Sequence, residues 1–135
     1  MKLTRRYRFA ASHRLNTDAL SAAENAALYG KCNNPFGHGH DYVLDVTVEG
    51  APDASGQIVE RRALDTLVQD QVLARVDHLN LNCDVPELRN QVATTENLAR
   101  AVESMLMRDW RLPARLASVR ISETARNTFE LETTK

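Results

Sequence analysis

The sequence predicts an α+β fold, a mainly antiparallel sheet carrying two helices on one face. Three observations lead there. Two long N-terminal stretches alternate apolar and polar residues with period two, two central stretches carry apolar residues at helical spacing, and two short alternating stretches close the chain. At 135 residues the whole chain, 1–135, has the length of one domain and enough residues for a substantial core.

From Leu3 to His13 the odd positions read Leu3, Arg5, Tyr7, Phe9, Ala11 and His13, a face that is apolar except at Arg5 and at its end. This is a strand that delivers His13 onto the buried side. Leu15 to Lys31 reads as an insertion, in which Ser21-Ala22-Ala23-Glu24 forms a capping box and Gly30 closes a short helix. From His38 to Glu49 the even positions are His38, His40, Tyr42, Leu44, Val46 and Val48, with imidazoles at the start and a core face after them. Gly50 through Gly56, with Pro52, Asp53 and Ser55, is a turn region. A helix follows from about Arg61 to Arg75, with Leu64, Leu67, Val68 and Val72 on one side. Val76 to Glu87 holds Asp77, His78, two asparagines and Pro86, and reads as a loop. The second helix opens near Thr95, places Leu98, Val102, Met105 and Leu106 at helical spacing, and ends before Pro113. Ala117, Val119 and Ile121 then alternate toward Glu123, and Phe129 and Leu131 mark a last strand after a turn near Asn127. The open edges and bare face of such a sheet favour association of subunits.

Charge and composition exclude several classes of function. The formal net charge is −1 and arginines interleave with acids, so no basic surface for nucleic acid is expected. No stretch approaches the roughly 20 apolar residues of a membrane span, and Met1 is followed by charge instead of an apolar signal core. Cys32 and Cys83 form no disulfide framework; both are expected to be free thiols, and the cytoplasm is the expected compartment. Lys2, Arg5, Arg6 and Arg8 make a small basic cluster, either a charged strand edge that discourages aggregation or a seat for an anion.

The chemistry lies in the histidines. All four, His13, His38, His40 and His78, stand beside residues suited to metal binding or proton transfer. His38 and His40 are spaced i, i+2, which on a strand puts both imidazoles on one face about 7 Å apart. With His13 they supply three imidazoles, and three protein ligands plus an open position is the catalytic arrangement of zinc. Cys32, six residues before His38, is a fork. It would close a structural Cys-His₃ site as fourth ligand, or stand beside the metal as a thiolate base, its pKa lowered by zinc, Lys31 or an imidazolium. In Asp77-His78 a carboxylate would orient the ring for proton relay, or merely cap a loop beside an exposed histidine. Glu123 ends an apolar alternation and there needs a partner, an arginine or a ligand with donors. Thr95-Glu96 reads as a helix N-cap followed by a first-turn acid.

These residues resemble a known family. Tyr7-Arg8-Phe9-Ala10-Ala11-Ser12-His13-Arg14-Leu15, Tyr29 to His40 with its Cys-Asn-Asn-Pro-x-Gly-His-Gly-His run, Val76 to Leu81, Thr94 to Ala99 and Ser122-Glu123-Thr124 are similar, in order, to the 6-pyruvoyltetrahydropterin synthase family. The resemblance implies a T-fold, ββααββ, whose trimers close an antiparallel barrel and stack in pairs as a homohexamer. It implies 7,8-dihydroneopterin triphosphate as substrate and Zn²⁺ held by His13, His38 and His40. Cys32 would then be the catalytic base, with Asp77 and His78 as its proton relay. Glu123 would pair with the donor edge of the pterin, and Thr95 and Glu96 would complete the pocket, contributed across a subunit interface. The family has two branches on this substrate. The five residues between Cys32 and His38, and the insertion before them, resemble the branch that eliminates triphosphate to give 6-pyruvoyltetrahydropterin. The other branch yields 6-carboxytetrahydropterin toward queuosine, and a zinc-stabilised pterin-binding module is the non-enzymatic alternative. Asp41 stands where that family often has Asn, a departure placed beside His40.

Overall fold

The computed structural model describes residues 1–133; the last two positions of the expected 1–135 domain lie outside the described residues. Strands β1 (Lys2–His13) and β2 (His38–Glu49) pair antiparallel along their full length, from Lys2 opposite Glu49 to His13 opposite His38. β3 (Leu79–Asn80), β4 (Arg115–Ser122) and β5 (Thr128–Glu132) complete a five-stranded sheet in the order β3-β1-β2-β4-β5. All pairings are antiparallel except β3 with β1. The expected α+β class is present, and the two long strands, two main helices and two closing strands follow one another in the expected order. The segment expected to be a loop contains β3, which docks beside Ala11 and Ser12. Two residues carry too little periodicity to announce a strand; pairing with an existing edge makes it one.

The helices pack on the face formed by Phe9, Ala11, Tyr42, Leu44, Val46, Val119 and Ile121, all buried. α1 (Ala22–Tyr29) carries the anticipated capping box, Ser21 and Glu24 each bonding the other's backbone amide. The loop before it is filled by Asn25, whose side chain accepts from the Thr17 amide and donates to the carbonyls of Thr17, Leu20 and Ser21. α2 (Arg61–Val68) runs through a π-helical segment, Gln69–Leu73, into the short α3 (Ala74–Val76). Leu64, Val68, Val72 and Val76 are completely buried. Spaced by four, such residues drift about 40° per step on a regular helix of 3.6 residues per turn. The wider π turn takes up that drift and keeps the stripe on the sheet. α4 (Thr95–Met107) buries Leu98, Ala101, Val102, Met105 and Leu106. No helix among the described residues is long and apolar enough to cross a membrane.

The opposite face of the sheet is polar. Arg6 pairs both ways with Asp45, and Thr4 meets Thr47. Arg5 turns to the helix side, where it and the Tyr7 hydroxyl both donate to Asp65 of α2. Arg5 and Arg6, two of the four residues of the basic cluster, are therefore spent on internal ion pairs.

Gly37 shows how tightly the start of β2 is tied to β1. Its φ is +80°, and a Cβ there would stand 2.9 Å from the carbonyl oxygen of His13. Gly56 has a similar φ of +82° but open space around it. Alanine at Gly56 is expected to cost about 1 kcal/mol, the left-handed strain alone. Alanine at Gly37 is expected to cost roughly 2–4 kcal/mol, strain plus overpacking. Denaturant midpoints of the two variants at equal m-value check this ranking.

Candidate metal centre

The β1–β2 register sets His13 opposite His38 and Ala11 opposite His40. His13 and His40 are thus diagonal neighbours on the helix-facing side, within reach of each other's rings. The rings meet edge to face with centroids 4.9 Å apart, and their Nε2 atoms stand 3.1 Å apart.

His13 is fully buried, and its Nδ1 lies 2.8 Å from the carbonyl oxygen of Ala93, just before the N-cap of α4. A carbonyl only accepts, so Nδ1 carries the proton and donates, leaving Nε2 as a bare lone pair. This is the second-shell bond that fixes tautomer and ring orientation in metal-binding histidines. The Tyr42 hydroxyl stands 3.4 Å from the same Nδ1.

Cys32 is brought in by a zipper between the segments that follow β1 and precede β2. The Leu15 amide donates to the Cys32 carbonyl at 2.7 Å, and Asn33 Nδ2 donates to the Leu15 carbonyl at 2.7 Å. Arg14 Nε donates to the Asn33 carbonyl at 3.3 Å. The Cys32 Sγ then stands 3.7 Å from His40 Nε2. Glu123 arrives from the other side of the sheet, directly after β4, where its amide donates to the Asn127 carbonyl. Its Oε1 lies 3.2 Å from His40 Nε2 and 3.6 Å from His13 Nε2.

The donor atoms of His13, Cys32, His40 and Glu123 all lie within 4.8 Å of one another. A tetrahedral zinc with bonds of 2.0–2.3 Å has ligand-to-ligand edges of about 3.3–3.8 Å. Four of the separations here, 3.1, 3.2, 3.6 and 3.7 Å, are close to that size. Nitrogen, oxygen and sulfur donors converging on one point suit a shared cation, so the residues fit a divalent metal. Burial lowers the pKa of His13 and of His40 below the ordinary imidazole value, which keeps both rings neutral and ready to ligate. Burial, and then the charge of Glu123, pushes the Cys32 thiol up.

His38 is exposed and stands outside this group of four, although its ring lies edge-on to that of His40 with centroids 4.8 Å apart. The Asp77-His78 pair sits at the β1 edge. Asp77 Oδ1 accepts from the Ala10 amide at 2.9 Å, and the His78 amide donates to the Ala10 carbonyl at 2.6 Å. His78 has a φ of +62°, a strained value for a non-glycine residue, and its Nε2 is 3.6 Å from Asp77 Oδ2. Asn82 holds this loop by bonding both the amide and the carbonyl of Arg14. Among the described residues, no hydrogen bond links Cys32 to Asp77 or His78. His78 instead borders a groove of about 320 Å³ with Ser12, Gly39 and Asp41. His40 lines the same groove, while strand alternation sends the Asp41 side chain to the opposite face of β2.

The N-cap of α4 is Thr94, which accepts from the Asn97 amide, and not Thr95. Thr95 is the first helical residue, buried, with a hydroxyl that has no hydrogen-bond partner. Glu96 is exposed in the first turn. Sequence reasoning missed Tyr42, Asn33, Asn82 and the Ala93 carbonyl. Tyr42 was detectable, two residues after His40 on one face; a backbone carbonyl carries no sequence signal.

A family model described as 6-pyruvoyl tetrahydropterin synthase matches residues 2–134. The 6-pyruvoyl tetrahydrobiopterin synthase of Poecilia reticulata is 42% identical over 127 residues, 93% of this chain and 85% of that one. That of Dictyostelium discoideum is 43% identical over 126 residues, 93% of this chain and 90% of that one. The structure of Caenorhabditis elegans 6-pyruvoyl tetrahydropterin synthase superposes with a TM-score of 0.92 at 37% identity, over 99% of this chain and 96% of that one.

His13→Ala is expected to weaken metal binding by more than the 10–100-fold typical of an outer-shell loss. Competition against a chromophoric chelator measures it. Metal at about 100 times its Kd should also stabilise the wild-type fold by about 2.7 kcal/mol, read as a higher melting midpoint than in chelator.

Proposed function

The chain belongs to the 6-pyruvoyl tetrahydropterin synthase family, and on that premise we propose that it converts 7,8-dihydroneopterin triphosphate to 6-pyruvoyltetrahydropterin with loss of triphosphate. The observation that carries this reading is the convergence of His13, His40, Cys32 and Glu123 at one end of the β1–β2 ladder. It places metal-ligating imidazoles, a thiol and a carboxylate within reach of one small substrate.

In this reading His13, His40 and, from its place edge-on to His40, His38 would hold zinc, which would supply Lewis acidity toward the substrate's side-chain hydroxyls. Cys32 is the base that takes the proton from the C–H beside those hydroxyls. Its thiol is pushed up by burial in the free chain, so it needs a neighbouring positive charge to ionise, which a metal beside His40 provides. Asp77 orients His78 and stabilises its protonated form, and His78 passes the proton on. Glu123 accepts from the N–H donors of the pterin ring. Thr95 offers its unpartnered hydroxyl and Glu96 its carboxylate to the same ring. No redox cofactor is needed, because elimination leaves the electron count unchanged. The enzyme is accordingly a lyase.

Cys32 and His78 have separate partners within one chain, so the relay is completed by a second copy. A homohexamer of two stacked trimers, in the cytoplasm, is the proposed assembly. The two-residue edge strand β3, the uncovered edge of β5, and Phe36, 97% exposed in the loop between Cys32 and His38, support it.

Product analysis tests the reaction. Zinc-loaded protein incubated with 7,8-dihydroneopterin triphosphate should release triphosphate and a pyruvoyl pterin, identified by mass spectrometry. A 6-carboxy product with acetaldehyde would assign the other branch, and no product from folded, metal-replete protein would favour a binding module. Cys32→Ala should keep metal and fold while turnover falls by about 10²-fold or more. Loss of metal and stability together in that variant would make Cys32 a structural ligand instead.

A further inference from the structure

We propose that Glu123 is a ligand of the metal in the substrate-free enzyme and leaves it when the pterin binds. This rests on the pterin reading above and adds to Glu123 a second, earlier partner. Its Oε1 forms a triangle with the Nε2 atoms of His13 and His40, with edges of 3.1, 3.2 and 3.6 Å. That triangle has the dimensions of one face of a tetrahedron around zinc. The alternative is that Glu123 simply accepts a proton from an imidazole. His13 offers none, because its ring is fully buried and its Nδ1–H is given to the Ala93 carbonyl, which leaves Nε2 bare; His40 Nε2, 3.2 Å from Glu123 Oε1, can donate along one edge of the triangle only. Two acceptors, the His13 nitrogen and the Glu123 oxygen, thus face each other at 3.6 Å, a repulsive arrangement that a shared cation reverses.

Glu123 is also built to move. It stands immediately after the last residue of β4, in the exposed turn that leads to β5. Its side chain has no arginine or lysine partner among the described residues, whereas Glu49 and Glu87 each have one or more. A carboxylate free of other partners can close the open position of the metal against water and then exchange it for the donor edge of a pterin. Binding of a pterin ring and retention of the metal then oppose each other through one side chain. That coupling is reciprocal by thermodynamic necessity.

The test uses full-length protein loaded with Co²⁺, without substrate, and as probe unsubstituted pterin, which has no side-chain hydroxyls to offer the metal. Glu123→Gln keeps size and hydrogen-bonding capacity but removes the charged ligand. Its Co²⁺ affinity by chelator competition should fall at least about tenfold, with a changed visible ligand-field spectrum. Glu123→Asp, shorter but still anionic, should recover part of the affinity. In wild type, saturating pterin should shift the spectrum toward that of Glu123→Gln and weaken Co²⁺ binding; in the variant it should do neither. Unchanged affinity and spectrum in a folded Glu123→Gln would overturn the ligand role. Metal and pterin binding independently in wild type would overturn the exchange, and this holds even if the variant fails to fold. Weakened metal binding in Glu123→Gln, with no pterin bound by wild type, would support the ligand role and count against the pterin reading instead.

Discussion

The hydrogen bond from His13 Nδ1 to the Ala93 carbonyl is the constraint on which the metal centre depends. It joins the end of the first strand to the start of the last helix and does so inside the core. Because the acceptor is a backbone carbonyl, the tautomer of His13 is not negotiable, and its other nitrogen must face His40. Tyr42 is buried beside both rings, with its hydroxyl 3.4 Å from His13 Nδ1. Once His13 is set, the register of one antiparallel pair delivers His40 and His38.

Around this anchor the fold divides labour between rigid and irregular backbone. The imidazoles come from regular strands, where pairing fixes position to within a fraction of a residue step. Cys32 comes from a single 3₁₀ turn, Gly30–Asn33, and the Asp77-His78 pair and Glu123 come from loops. Each of the first two is nonetheless tied to the end of β1: Cys32 through Leu15, and the Asp77-His78 loop through Ala10, Ser12 and Arg14. One strand end is therefore the common reference for His13, Cys32 and the Asp77-His78 pair. Gly37 fits here as well, since only a residue without Cβ lets the β2 start approach the His13 carbonyl.

The electrostatic consequence is a site poised for a cation. Burial keeps both inner imidazoles neutral and the thiol protonated, so the metal-free site carries little positive charge against the Glu123 carboxylate. A divalent ion would reinforce the neutral imidazoles and reverse the preference of the thiol, because it would be the largest local charge. The strained backbone at His78 belongs to the same economy of positions, holding an exposed ring beside Asp77 at the sheet edge.

By itself the sequence determined the order of the main elements, the core faces and the identities of the candidate site residues. Period-two and helical spacing encode burial directly, and His13, His38, His40 and Cys32 are legible because rare residue types cluster at strand ends. What it left open concerns direction and distance. Which imidazoles face inward, that Thr94 and not Thr95 caps α4, that α2 passes through a π turn, and that Leu79 and Asn80 form a strand all depend on neighbours distant in sequence. The meeting of Glu123 with His13 and His40 depends on β2 pairing with β1 on one side and β4 on the other. Only the tertiary structure decided these points, because side-chain direction at a site is set by cross-strand register and backbone acceptors, and neither has a local residue code.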